Sequence, residues 1–142
     1  MATSTYFDLE QAMLARLIDN WSATDIQSPN QDFAPENADA WISASNRPAD
    51  NYRQIIGPAR TKGIAMRGLF VVEIFVKPNS GAGTAMEYAD DIRDIFEEVQ
   101  LTVNSGELEL MVPRVRNIGP TEINNIQWYE VMIETPWRYL TP

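Results

Sequence analysis

Apolar residues recur at three- and four-residue spacing in two stretches of the chain, and this pattern predicts two amphipathic helices. The first helix covers residues 6–21, and Thr5 with Asp8 resembles a capping box at its start. The second helix begins at Thr84, which forms a capping box with Glu87. Its apolar stripe consists of Ala85, Tyr88, Ala89, Ile92, Ile95, Phe96 and Val99.

Alternating apolar and polar residues predict the strands. The clearest strand covers residues 68–77, and the last strand covers residues 128–139. Residues 101–103 and 108–112 flank an Asn-Ser-Gly turn, which predicts a hairpin. Pro136 has no N–H for a strand ladder, so we expect it at a sheet edge or beyond the paired part of the last strand.

The pattern is interrupted in two other regions. Between the first helix and the clearest strand we expect an extended stretch at residues 25–27 and short strands at residues 40–44 and 52–56. A turn is predicted between those strands at residues 46–50, because an Asn-Arg-Pro sequence favours chain reversal. Residues 117–125 are predicted to be irregular.

The order of these elements, with helices and strands mixed along the chain, predicts the α+β class. We expect a single domain over residues 1–142, with a mixed or antiparallel sheet and the two main helices packed on one face. The longest apolar run, residues 69–72, is far shorter than a membrane span. The first five residues lack the basic and apolar regions of a secretory signal, so we expect no such signal.

The composition removes several kinds of chemistry. The chain has neither Cys nor His, so it has no disulfide, no thiolate nucleophile and no zinc site built from these residues. A Ser or Thr nucleophile would lack its usual His base, and neither lysine lies in a Ser-x-x-Lys arrangement. A pair of carboxylates, as in glycoside hydrolysis, stays open as an enzymatic alternative.

Two features of the second helix could suggest a ligand site. The small residues at 81–83 open the helix, but they lack the Lys and the glycine spacing of a phosphate-binding loop. Four carboxylates follow on its polar side, and without a partner motif we interpret them as a solvated acidic face rather than as metal ligands. These residues are Glu87, Asp90, Asp91 and Asp94. We therefore predict no catalytic residue, no metal and no cofactor.

The charge balance is strongly acidic, with 20 acids against 11 bases and a formal net charge of −9. This balance disfavours wrapping of nucleic acid, because neutralising phosphates requires Lys and Arg. It favours solubility, or a surface that lies near DNA without binding it. A basic island lies between residues 51 and 72, where no acid occurs. Its basic residues are Arg53, Arg60, Lys62 and Arg67.

Aromatic residues cluster near the end of the chain, in Trp128-Tyr129 and Trp137-Arg138-Tyr139. Their alternation favours packing in the core. Trp128 and Arg138 lie on the other face of the predicted strand, where they could line a protein interface, because Trp and Arg are enriched in interfaces.

The motifs, taken in order, resemble the phage tail-terminator or tail-completion family, which includes proteins similar to the minor tail protein U. The resemblance covers nearly the whole chain, and residues 117–125 depart from the motifs that carry it. The segments that carry it are Phe33-Ala34-Pro35, Ala40-Trp41-Ile42, Phe75-Val76-Lys77-Pro78, Ala89-Asp90-Asp91-Ile92, Trp128-Tyr129-Glu130-Val131 and Pro136-Trp137-Arg138-Tyr139.

The resemblance implies a structural protein of the virion, assembled in the host cytoplasm. Such a protein would form a homohexameric ring on the last ring of tail-tube subunits of a siphophage. The ring would end tail polymerisation and offer a surface to the head–tail connector, with DNA passing through without specific binding. We expect its contacts to join a basic set to the acidic helix face of a neighbour. The basic and aromatic candidates are Arg60, Lys62, Arg67, Trp128 and Arg138.

Other functions stay open at this point. A neck or head-completion adaptor of similar fold is the nearest alternative. A small domain that binds a ligand in an apolar pocket, or an enzyme that uses carboxylates alone, would belong to different classes. Tail-tube and connector genes beside this gene would favour assembly.

Overall fold

The computed structural model describes residues 5–27, 39–56, 61–78 and 81–140 of the chain. This part contains the helices α1 (Thr5–Asn20) and α2 (Gly81–Phe96) and the strands of one sheet. The strands are β1 (Asp25–Gln27), β2 (Ala40–Ile56), β3 (Thr61–Val76), β4 (Gln100–Val103), β5 (Gly106–Leu110), β6 (Arg114–Ile123) and β7 (Ile126–Leu140). The predicted α+β class is confirmed.

Both helices form where the apolar spacing predicts them. In α1 the stripe residues Leu9, Met13 and Leu17 are fully buried. The second helix begins at Gly81, three residues before the predicted start at Thr84. The small residues ahead of Thr84 adopt helical backbone, so Thr84 lies inside the first turn instead of capping it.

The strands form one mixed sheet in the order β1-β2-β3-β7-β5-β4, and β6 also pairs with β7. The β1 strand runs parallel to β2, and the other pairs are antiparallel. The β7 strand is central, because it pairs with β3 along one edge and with both β5 and β6 along the other. The predicted hairpin is confirmed as β4 and β5.

The two short strands predicted at residues 40–44 and 52–56 are one continuous strand, and the turn predicted between them is wrong. The β2 strand pairs with β3 along its whole length. The register shifts between Pro48 and Asp50, which marks a β-bulge. At Pro48 the described strands give β2 only β3 as a partner, because β1 pairs no further than Ser43, and such an edge position accommodates a proline that a central strand would exclude.

The irregular structure predicted for residues 117–125 is also wrong. This segment contains most of β6 and the turn that joins it to β7. Gly119 has a φ of 99° and lies where the register shifts. Asn124 and Asn125 have φ values of 51° and 65°, the left-handed backbone that the favoured two-residue hairpin turns require. The turn-forming residues therefore mark a bulge and a tight hairpin inside the sheet.

Pro136 lies inside the sheet, contrary to the prediction of an edge position. It is the Cα partner of Leu69 on β3, and its carbonyl accepts a hydrogen bond from the N–H of Met111 at 2.9 Å. Because a strand residue points its nitrogen and carbonyl to the same side, the nitrogen faces the β5 and β6 edge. On that edge β6 pairs as far as Glu134 and β5 pairs from Trp137 onward. Pro136 therefore lies at a break between two partner strands, where no ladder N–H is needed.

Successive strand residues point to opposite faces of the sheet, and the two faces carry separate clusters. The main core joins residues of both helices to one set of strand residues, such as Phe70, Val72 and Ile74 of β3. A smaller cluster contains the other set and consists of Trp41, Phe75 and Trp128. Trp41 stacks on Phe75 with ring centroids 4.3 Å apart. We call the face that bears this smaller cluster the outer sheet face.

Candidate assembly surfaces

The polar side of α2 presents carboxylates to solvent. The exposed acids are Glu87, Asp90, Asp91 and Asp94, and we call this set the acidic α2 surface. The opposite side of the helix, with Ala89 and Ile92, is fully buried in the main core. Arg93 is the only base of α2, and it forms an ion pair with Glu97 at 3.1 Å. The helix therefore presents an excess of negative charge outward.

Arginines from four strands meet on the outer sheet face. Alternation from Phe75 places Arg67 of β3 on this face, and the register makes Arg138 of β7 its cross-strand partner. Arg47 of β2 reaches the same face, because it contacts Glu73 of β3. Arg114 and Arg116 of β6 lie there as well, where they pair with a carboxylate of β7. The sheet register thus gathers cations that are far apart in sequence.

The carboxylates that pair with these arginines lie deeper than the arginines do. The Glu134 side chain is 8% exposed, and its Oε1 accepts hydrogen bonds from Arg114 at 3.1 Å and from Arg116 at 3.5 Å. The side chains of Arg114 and Arg116 are 69% and 53% exposed. Arg138, 51% exposed, pairs with Glu109, 35% exposed, at 2.9 Å. The outer sheet face therefore presents guanidinium groups to solvent, above recessed carboxylates.

Two glutamates on adjacent strands form a hydrogen-bonded pair on the same face. Glu73 of β3 hydrogen-bonds with Glu130 of β7, and Arg47 lies 3.6 Å from Glu73. Glu130 is nearly fully buried and accepts a hydrogen bond from the Thr121 hydroxyl at 3.0 Å. Burial, followed by the hydrogen bond and the charge of Glu130, raises the pKa of Glu73 to about 7, and Arg47 opposes this rise.

Trp128, predicted as an interface residue, lies beneath this surface. Its side chain is fully buried and meets Trp41 edge to face, with ring centroids 6.0 Å apart. The ammonium group of Lys77 lies 4.6 Å from the Trp128 ring centroid, within the range of a cation–π contact. An interface role for Trp128 would therefore act through the side chains that cover it.

The structure describes part of the predicted basic island. Arg60 lies outside the described residues. Lys62 lies on β3 as the register partner of Ile55 on β2. Arg67 is exposed, and the structure brings it together with Arg138, which the sequence placed in a separate cluster.

Sequence reasoning missed Arg114 and Arg116. The usable signal was alternation, because these arginines are two residues apart, as polar residues of a strand with one exposed face would be. Glu130, Met132 and Glu134 of β7 alternate in the same way, and Glu134 is the residue that both arginines contact. Residues 117–125 hid the pattern, because their turn-forming residues obscured β6.

Within the described residues, no group of three or more acidic side chains is arranged to hold a metal ion. Neither described helix has the length and apolar character needed to cross a membrane.

Residues 8–137 match a family model described as phage tail terminator protein. The chain therefore belongs to the phage tail terminator family, which is a structural family of the virion, and the resemblance drawn from the sequence is confirmed.

No curated protein matches the chain. A solved structure that carries no functional name aligns over 96% of this chain and 96% of its own, with a TM-score of 0.68 and 20% sequence identity. At that identity the likeness shows a shared fold.

Proposed function

We propose that this protein caps the phage tail tube as a ring, ends tail polymerisation and provides the surface to which the head–tail connector joins. The observation that carries the proposal is the match to the tail terminator model over residues 8–137. A homohexamer fits the six-fold tube of a siphophage tail. The protein then acts through contacts with copies of itself, with the tail-tube protein and with the connector, without catalysis.

In this proposal both helices cover one face of the sheet and leave the outer sheet face for contacts with partners. Support comes from the main core, where Leu17 of α1 and Ile92 of α2 belong to the same cluster as Val72 of β3. A contact between two different surfaces, repeated around an axis, closes a ring when the rotation is right. The chain offers two such surfaces, the acidic α2 surface and the outer sheet face.

The net charge supports a ring through which DNA passes without binding. Six copies at −9 each would carry a formal charge of −54. A bore with this sign repels the phosphate backbone, so DNA would move through it during packaging and ejection.

The experiment that tests the function is electron microscopy of lysates from phage in which this gene is deleted. A terminator predicts overlong tails without heads, and normal lengths should return when the gene is supplied from a plasmid. Tails of normal length beside unattached full heads would instead assign a neck adaptor. Normal infectious particles would reject both roles.

A further inference from the structure

We propose that the ring closes by contact between the outer sheet face of one copy and the acidic α2 surface of the next. The inference rests on the proposed function and adds the residues that make the contact. The occupant of each surface is a second copy of this chain, so every copy uses both surfaces once.

The first argument is the way charge is divided between the two sides of the molecule. The two helices together carry seven acids and two bases, Arg16 and Arg93. Arg16 is turned inward, where its Nε donates to the carbonyl of Ile95 at 2.7 Å, and Arg93 is paired with Glu97. Among the described residues, no cation pairs with Glu87, Asp90, Asp91 or Asp94, so the helix side offers carboxylates to a second copy.

The second argument is the depth of the ion pairs on the outer sheet face. Glu134 forms ion pairs with both Arg114 and Arg116, so two guanidinium groups share one recessed carboxylate. Arg67 and Arg138 are cross-strand neighbours, and Arg138 pairs with Glu109. Each guanidinium has five N–H donors in a fixed fork, so an arginine with one such partner keeps donors for a second carboxylate.

The third argument is that the two surfaces match in chemistry and in rigidity. Asp90 and Asp94 lie one turn apart on the exposed side of a helix, about 6 Å from each other along its axis. Arg114 and Arg116 lie two residues apart on a strand, about 6.6 Å from each other. Both pairs are held on regular elements, so a row of carboxylates can face a row of guanidinium groups with little ordering cost.

Two charge-reversal variants test the contact. The sheet variant is Arg67→Glu with Arg116→Glu. It leaves Arg114, the closer partner, on Glu134, and it places a carboxylate opposite Arg138. The helix variant is Asp90→Lys with Asp94→Lys. A third variant, Glu122→Lys with Gln127→Lys, raises the net charge by three, against four for the helix variant, at exposed residues that pair at the end of the β6–β7 hairpin, outside both surfaces, and serves as the control.

Each variant is supplied to the deletion phage, and tail lengths are measured. Like charges would face each other in a ring of either variant alone, and the affinity of each contact should fall about tenfold or more. We expect overlong tails in both cases and normal tails from the control.

When both variants are supplied together, or combined in one chain, opposite charges face each other again and normal tails should return. An alternating ring of two chain types requires an even number of subunits, which six satisfies.

A second readout is independent of the tail. A tagged sheet variant should co-purify with the untagged helix variant, the complex should weaken as salt rises, and neither variant should retain untagged copies of itself. Normal tails from the sheet variant alone would overturn the inferred contact while leaving the terminator role intact. Failure of the two variants to rescue each other would also overturn it. Normal tails in the deletion itself would reject the proposed function, and the co-purification would then decide the contact by itself.

Discussion

The indole of Trp137 on β7 crosses β3 at Gly68, and its Nε1 donates a hydrogen bond to Oδ1 of Asn46 on β2 at 2.8 Å. Gly68 is the Cα partner of Trp137. A Cβ at Gly68 would lie 2.8 Å from Cζ2 of the indole and 2.6 Å from the carbonyl oxygen of Arg47. Real Cβ atoms essentially never make such contacts, so Trp137 reaches β2 because residue 68 has no side chain.

This arrangement predicts that Gly68→Ala destabilises the protein. The methyl group would push against both the indole and a backbone carbonyl, which cannot move independently, and we expect the free energy of unfolding to fall by about 2 kcal/mol. The measurement is urea unfolding followed by tryptophan fluorescence. Gly83→Ala is the matched control, because its Cβ would meet nothing within 4 Å and it lies in α2. There a helical alanine should raise stability, by up to about 1 kcal/mol. Equal losses in the two variants would contradict the explanation.

The main core could be predicted from the sequence, and the sheet register could not. The spacing of Leu9, Met13 and Leu17 shows that they share a helix face, because one period fixes the relation between them. The pairing of Gly68 with Trp137 depends on how two distant strands align, and no local pattern encodes that alignment. The predictions for residues 46–50 and 117–125 were wrong for a related reason. A bulge or a hairpin uses the same turn-forming residue types as a loop, so composition does not distinguish them.

The candidate surfaces follow the same division. The acidic α2 surface could be predicted, because its carboxylates lie on one helix and helical spacing places them together. The outer sheet face could not be assembled from sequence. Its arginines come from β2, β3, β6 and β7, and only the register brings Arg67 beside Arg138. The depth of Glu134 beneath Arg114 is likewise a property of the folded sheet.

The Glu73–Glu130 pair predicts a specific dependence of stability on pH. The pKa of Glu73 is raised from 4.5 to about 7, so the folded chain binds this proton more tightly than the unfolded chain does. Stability contributed by protonated Glu73 is therefore present in acid, falls as pH rises from 4.5 to about 7, and is lost above that value.

The variant Glu73→Gln tests this dependence, because a neutral amide resembles the protonated carboxyl. We expect the variant to be close to the wild type in stability at pH 5 and more stable than the wild type at pH 8. Urea unfolding at several pH values gives the free energy of unfolding of each protein. The difference between the two proteins cancels the titration of the groups that they share. A difference between Glu73→Gln and the wild type that stays constant with pH would remove the raised pKa as an explanation.

The buried hydroxyl of Thr135 leads us to expect a stabilising substitution at this position. Its side chain is fully buried, and its Oγ1 has no hydrogen-bond partner among the residues that the structure describes. Thr135→Val replaces this hydroxyl with a methyl group, and we expect the free energy of unfolding to rise by about 1 kcal/mol. Thr121→Val is the matched control, because the Thr121 hydroxyl donates to Glu130, and its loss should lower stability by about 1 kcal/mol. Thermal unfolding of both variants measures the difference, and a loss at Thr135 would show that its hydroxyl has a partner.

The backbone conformation of Glu98, just after the end of α2, leads us to expect a second stabilising substitution. It has a φ of 53°, in the left-handed region, where a side chain costs about 1 kcal/mol relative to glycine. Glu98→Gly should therefore raise the free energy of unfolding by about 0.5–1 kcal/mol, since part of the gain is offset by the greater freedom of glycine in the unfolded chain. Removing a carboxylate from a helix C-terminus is itself favourable, so the charge must be separated from the backbone. Glu98→Gln removes the charge and keeps the side chain, and its gain should be smaller than that of glycine. Equal gains from the two variants would assign the whole effect to charge and none to the left-handed backbone.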